Sequence, residues 1–163
     1  MAGDWIITGG RPLQGRVEVP AAKNSVLPLL AAALLCSGPV RLQNVPRLTD
    51  VEDCLALLQG VGCTAGWQGT ALVVQGQPMR TDLAPEAAGR MRASILFCAP
   101  LLARLGRVET SLPGGCRIGK RPVDLHIRGL EALGVAVRIE ENRIRAEVPP
   151  AGLLGQTSIC PIR

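Results

Sequence analysis

The segment Pro113-Gly114-Gly115-Cys116-Arg117-Ile118-Gly119-Lys120-Arg121 sets one thiol among three glycines and three cations. Neighbouring cations favour thiolate over thiol, lowering a pKa that starts at about 8.5. Glycine removes side-chain bulk and tolerates positive φ, so the backbone can turn sharply or approach a ligand. Cys116 is therefore a candidate reactive thiol. The competing reading is an incidental Cys in a longer surface connection. The five remaining cysteines, at 36, 54, 63, 98 and 160, lack this setting. Cys36, Cys54 and Cys98 fall in apolar helical patterns and are expected to be buried as small hydrophobes. No C-x-x-C pair occurs and His126 is the single histidine, so no metal site is expected. A reducing cytoplasm fits these cysteines better than a disulfide framework.

Lys23 and Arg92 form a second candidate set. Each opens a mainly apolar run that reads as a helix, Lys23-Asn24-Ser25-Val26-Leu27 and Arg92-Ala93-Ser94-Ile95-Leu96. A helix start presents free N–H groups and a positive dipole end. A cation there is electrostatically misplaced unless an anion lies nearby. Two such cations could converge on one anionic ligand, or be ordinary solvated charges.

The bulk properties narrow the choice. The chain has 163 residues, 47% hydrophobic and 19% charged, which is enough for a globular domain with its own core. One Phe, two Trp and no Tyr leave that core to Leu, Val, Ile and Ala. The net charge of +5 fits a solvated basic surface, nucleic-acid binding or small anionic substrates. Base-stacking modules need aromatic residues beside the positive charge, and no dense Lys/Arg run occurs. Nucleic acid is therefore not expected, and small anions are the better reading. The apolar run Val26 to Cys36 is too short to span a bilayer, so no membrane association is expected.

The elements that must position these residues repeat once, with an offset of 69 residues. Each apolar helix runs to a glycine, Gly38 or Gly106. A short strand follows, starting at Val40 or Val108, and a second helix comes next. These second helices read as about Asp50 to Gln59, capped by Thr49 or Asp50, and Pro122 to Leu133, with Pro122 in the first turn. Gly62 or Gly134 then precedes two strands. These are Cys63–Trp67 and Ala71–Gln75, turning at Gln68-Gly69, and Ala136–Glu140 and Arg143–Val148, turning at Glu141-Asn142. Both copies read α-β-α-β-β, a layered α/β unit. The copies differ most between Pro113 and Val123, ten residues against the five from Pro46 to Val51, and that insertion carries Cys116.

Four motifs carry a family resemblance over about residues 4 to 155: Ala21-Ala22-Lys23-Asn24, Met91-Arg92-Ala93-Ser94, Leu112 to Gly119, and Arg121-Pro122-Val123-Asp124-Leu125-His126. In order and spacing they resemble the UDP-N-acetylglucosamine enolpyruvyl transferases. The shikimate-pathway relatives look different, lacking the Gly-Gly-Cys loop and having Lys-Ser in place of Lys23-Asn24. The resemblance implies an α/β (α+β) fold, the inside-out α/β barrel domain of enolpyruvyl transferases, built from repeated βαβαββ-type units and incomplete here. It implies transfer of the enolpyruvyl group of phosphoenolpyruvate to the 3-hydroxyl of UDP-N-acetylglucosamine, through a tetrahedral ketal, with release of phosphate and no cofactor. Cys116 matches the residue that protonates the methylene carbon and that fosfomycin alkylates. Lys23, Asn24 and Arg121 match residues around phosphoenolpyruvate. Arg92 and the segment Arg121, Pro122, Val123, Asp124 and Leu125 match residues that contact the UDP-sugar.

The resemblance also sets the expected organisation. Residues 1–21 resemble a strand segment that pairs with a second domain. Residues 22–155 hold two repeats, about 22–76 and 89–148, of a domain that has three in the family. The second domain, with the catalytic carboxylate and a later substrate Arg, is expected outside this chain, so the chain alone is expected to be inactive; the alternative readings are a non-catalytic module that binds a UDP-sugar or another anion, and a decayed gene product. Gln156 to Arg163 departs from the family pattern. One choice of codons, read two bases later, gives Asn-Ile-Tyr-Leu-Pro-Tyr-Pro, which resembles the family's next strand, and a frameshift near residue 156 is the expectation.

Overall fold

The computed structural model describes residues 4, 6–12, 14–19, 21–112 and 123–155. Helix α1 (Lys23–Ala32) runs into a 3₁₀ turn (Ala33–Leu35), then β1 (Val40–Leu42), α2 (Thr49–Gly60), β2 (Thr64–Gln68) and β3 (Ala71–Gln75). Helix α3 (Pro85–Arg90), a 3₁₀ segment (Arg92–Phe97), α4 (Cys98–Leu105), β4 (Arg107–Ser111), α5 (Asp124–Ala132), β5 (Ala136–Glu140) and β6 (Arg143–Glu147) follow. The strands form two antiparallel sheets of three, ordered β1-β3-β2 and β4-β6-β5. The same topology twice, with helices packed between the sheets, is the mixed α/β fold expected.

Local chemistry explains most element ends. Glu141 and Asn142 both hold positive φ (47° and 66°), the two-residue turn whose twist suits a hairpin. Its counterpart falls at Gly69-Thr70, one residue later than the sequence reading, with Gly69 at φ 63°. Helix α4 stops at Gly106, in the left-handed conformation, whose N–H donates to the Leu102 carbonyl at 2.9 Å. In the second copy a short parallel bridge pairs Asp82 with Glu109 of β4. There Glu109 N–H donates to the Thr81 carbonyl (2.8 Å) and Leu83 N–H to the Glu109 carbonyl (2.9 Å).

Four expectations are corrected. The apolar helix beginning at Arg92 opens as 3₁₀, not α. Pro100 has no N–H to offer the Leu96 carbonyl, and the Ser94 hydroxyl lies 2.9 Å from the carbonyls of both Ala88 and Met91. Neither Thr49 nor Asp50 caps α2. Leu48 holds the cap position with no side-chain bond, and Asp50, inside the first turn, pairs with Lys23 of α1. Helix α5 begins at Asp124, with Val123 at its cap; Pro122 lies outside the described residues. Cys36 is exposed, since the helix ends at Leu35 and Cys36 is already extended. Helix α3, six residues opened by Pro85, had no counterpart in the sequence reading.

One core joins both copies. Leu30, Leu34, Leu57, Leu58, Leu101 and Phe97 from the helical layer are fully buried, and Leu72 and Ile144 meet them from the two sheets. Removing such apolar surface from water contributes about 25 cal/mol per Å². Arg104 near the end of α4 donates to the last carbonyls of the first apolar helix, Leu34 at 3.1 Å and Leu35. A cation at a helix C-terminus is favourably placed, and here it ties one copy to the other. Asp53, 9% exposed on α2, accepts from Arg90 Nε and Nη2 at 3.0 and 2.8 Å, fixing α3 against α2.

Candidate functional site

Helix α1 starts at Lys23 because an extended Ala22 precedes it and an apolar face begins at Val26 and Leu27. The Ala22 carbonyl accepts from Ser25 and Val26, and no side chain caps the end. Lys23 and Asn24 are both exposed there. The Lys23 ammonium is paired with the Asp50 carboxylate from the first turn of α2; the side chains are 46% and 33% exposed. The sequence reading missed this partner. The signal was present, since a lysine at a helix start calls for an anion, but Asp50 was read as a cap.

Arg92 opens the 3₁₀ segment and is exposed. Among the described residues no ion pair includes it. Helix α1 packs against both α2 and this segment, so Lys23 and Arg92 begin neighbouring elements. Val123 is half-buried against the core, while Asp124 and Leu125 are exposed. Leu125 shares a groove with Ile95 and Leu96, so the start of α5 lies beside the segment that carries Arg92. Cys116, Arg121 and Pro122 fall outside the described residues.

The other thiols are chemically distinct. Burial, aided by the negative Asp50 and Asp53, pushes the Cys54 thiol up to about 12. Burial alone pushes Cys98 to about 12 and raises Cys63. Desolvation disfavours the thiolate, so these three buried thiols are poorer nucleophiles than a free cysteine. Among the described residues no His, Cys, Asp and Glu cluster could hold a metal, and no helix is long and apolar enough to cross a membrane.

A second set of contacts lies beside the Lys23–Asp50 pair. Trp67 Nε1 donates to Glu52 Oε1 at 2.9 Å, and the Arg47 guanidinium stands 4.1 Å from the Trp67 ring centroid. Arg47 and Glu52 flank Asp50 in sequence.

The family model described as EPSP synthase (3-phosphoshikimate 1-carboxyvinyltransferase) matches residues 7–159. The chain belongs to the EPSP synthase family. Within it, the chain is similar to the UDP-N-acetylglucosamine 1-carboxyvinyltransferase of Acinetobacter baylyi, 46% identical over 145 residues. The enzymes of the same name from Acinetobacter guillouiae and Desulfosudis oleivorans are 45% and 46% identical over the same length. Each match covers 88% of this chain and 35% of the relative, so the chain spans about a third of the length of these curated relatives. The enolpyruvyl transferase NikO from Streptomyces tendae matches in structure with a TM-score of 0.70 at 23% identity, over 85% of this chain and 31% of NikO. That likeness bears on the fold, which is the EPSP synthase-like one.

Proposed function

We propose that this chain supplies the thiol-bearing side of a UDP-N-acetylglucosamine 1-carboxyvinyltransferase site. The observation that carries the reading is the 46% identity over 145 residues to enzymes of that name. The reaction moves the enolpyruvyl group of phosphoenolpyruvate to the 3-hydroxyl of the amino sugar and releases phosphate, a cytoplasmic step in peptidoglycan precursor synthesis. Phosphoenolpyruvate is a compact anion, so converging cations both position it and stabilise developing charge. Lys23 and Arg121 hold its phosphate and carboxylate, and Asn24 lies near the reacting hydroxyl. Arg92 and Arg121 to Leu125 contact the UDP-sugar. Cys116 protonates the methylene carbon as general acid, an effect of about 10²–10⁴-fold.

Two features support these roles. Lys23 and Arg92 are exposed at the starts of neighbouring elements. The groove joining Leu125 to the Arg92 segment brings two of the substrate-contacting stretches side by side. On this reading a catalytic carboxylate and a second domain lie in the part of the protein that corresponds to the two thirds of the relatives' length this chain does not match. The 163 residues alone are therefore expected to release no phosphate.

The test is to supply the remaining portion from a relative and assay phosphate release dependent on UDP-N-acetylglucosamine. Cys116→Ala should abolish turnover or slow it gravely. Cys116→Asp should retain activity and resist fosfomycin, because a carboxylic acid can donate a proton and the alkylated sulfur is gone. Lys23→Ala should weaken phosphoenolpyruvate capture by about 1.5–3 kcal/mol, the loss of a charge-assisted contact. If Cys116→Ala turns over like the parent, the loop is structural and the assignment is wrong.

A further inference from the structure

Lys23 stands where the helix dipole is unfavourable to a cation, on a helix without a side-chain cap. Asp50 compensates from the first turn of α2, the end of a helix where an acid is favoured. An ion pair this exposed contributes little by itself, because long side chains lose rotamer freedom in holding it. What keeps Asp50 opposite Lys23 is thus the position of the α2 first turn. That turn also lacks a side-chain cap, since Leu48 occupies the cap position.

Trp67 on β2 supplies the missing restraint. Its Nε1–H donates to Glu52 within the turn at 2.9 Å, and its ring carries the Arg47 guanidinium ahead of the turn at 4.1 Å from the centroid. The indole is itself half-buried and packed on the core. One rigid side chain therefore holds α2's start from both sides of Asp50. Among the described residues the second copy has no such clamp. Ile139 takes the place of Trp67 on β5, and Pro122 takes the sequence position of Asp50.

We propose that Trp67 is a positioning residue for Lys23, acting through Asp50: the indole fixes the first turn of α2, and the carboxylate on that turn fixes the ammonium. The proposal rests on the reading of Lys23 as an anion-binding residue. An ammonium held in one place loses less freedom when an anion arrives, which strengthens capture.

Lys23 and Lys120 are the two lysines in the sequence, so the full chain labelled with ¹³C at lysine Cε gives two signals. Lys23→Arg identifies which is which. In the ligand-free chain, Asp50→Asn should move the Lys23 signal toward the position of free lysine. Trp67→Phe keeps a ring for Arg47 and removes the Nε1–H donor; it should move the signal part of the way in the same direction. Glu52→Ala, an exposed change that leaves the indole intact, should do likewise. In the Asp50→Asn background neither change should move it further, because both act through Asp50. A merely structural role for Trp67 would shift Lys23 equally in both backgrounds. The proposal is overturned by that result, or by a Lys23 signal indifferent to both Trp67→Phe and Glu52→Ala in chains that keep their melting transition. Titration with phosphoenolpyruvate, after the unlabelled remaining portion of a relative has been added to the labelled chain, then separates the two ideas. Its dissociation constant at Lys23 should rise about threefold to tenfold in Trp67→Phe, the scale of one hydrogen bond. If phosphoenolpyruvate leaves the parent Lys23 signal unmoved, the anion-binding reading fails, while the ligand-free comparison still decides the positioning.

Discussion

Thiol chemistry depends on whether a sulfur can carry charge, and the four described cysteines divide on that point. Cys54 and Cys98 are buried and held near 12, Cys63 is buried and raised, and Cys36 is exposed. With iodoacetamide, Cys54 and Cys98 should stay unlabelled in the folded chain. Raising the pH from 7 to 9 should not expose them to reaction, since a thiol held near 12 is still protonated there. Mass spectrometry after timed quenching reads this directly. Among the described cysteines the meaningful competitor for Cys116 is then Cys36, and Cys116 should label faster than any of the other five because of its three neighbouring cations. Equal rates at the two positions would mean that the glycine-rich loop does not favour thiolate. Lys23 at a helix start was legible because an apolar run follows it at once. Its partner was not, because the Lys23–Asp50 contact joins two helices and no local spacing encodes it. The exposure of Cys36 was hidden for a similar reason: the apolar run continues to that residue, but the helix does not.

Helices α2 and α5 hold equivalent places in the two copies and live in different surroundings. Six residues of α2 are buried, among them Leu55, Leu57 and Leu58, whereas α5 buries none. Helix α2 packs against α1, α3 and β2, while α5 rests mainly on β5. Leu58→Ala should therefore cost about 2–5 kcal/mol by leaving a cavity. Leu125→Ala, at a position 48% exposed, should fall within about 0.5 kcal/mol. Urea unfolding of the two variants measures both, and similar losses would show that α5 is covered in solution. Element type was largely legible, since β3 and β5 fall at the residues that the repeat, its glycines and its turns indicated. Helix α3 was not, because six residues are too few to display a helical period. The 3₁₀ opening at Arg92 was not either, because Ser94 and Pro100 redirect hydrogen bonds without altering the apolar pattern.

At the scale of the molecule, the repeat itself was legible from a 69-residue offset, but the way two sheets enclose one helical layer was not, since the contacts between copies lie far apart in sequence. That enclosure is uneven. Ile6, Ile7, Val17 and Val19 are 84–93% exposed, and Leu125, Leu133, Leu153 and Leu154 add apolar surface around and beyond α5. Scattered apolar residues on a surface are ordinary, but groups of them on one molecule favour association. The chain on its own should accordingly self-associate at micromolar concentration and bind a hydrophobic dye. Light scattering across a dilution series should show the mass falling toward that of the monomer, 17.1 kDa. Adding the portion of a relative that this chain does not match should suppress dye binding, because the proposed second domain and third repeat would cover these surfaces. Salt tells apolar association from charge-driven contact. Screening weakens attraction between charged patches, whereas apolar association persists, and strengthens in sulfate. A monodisperse monomer with a cooperative melt and no dye binding would mean that these apolar groups are tolerated as they stand, and that the 163 residues form a self-sufficient unit.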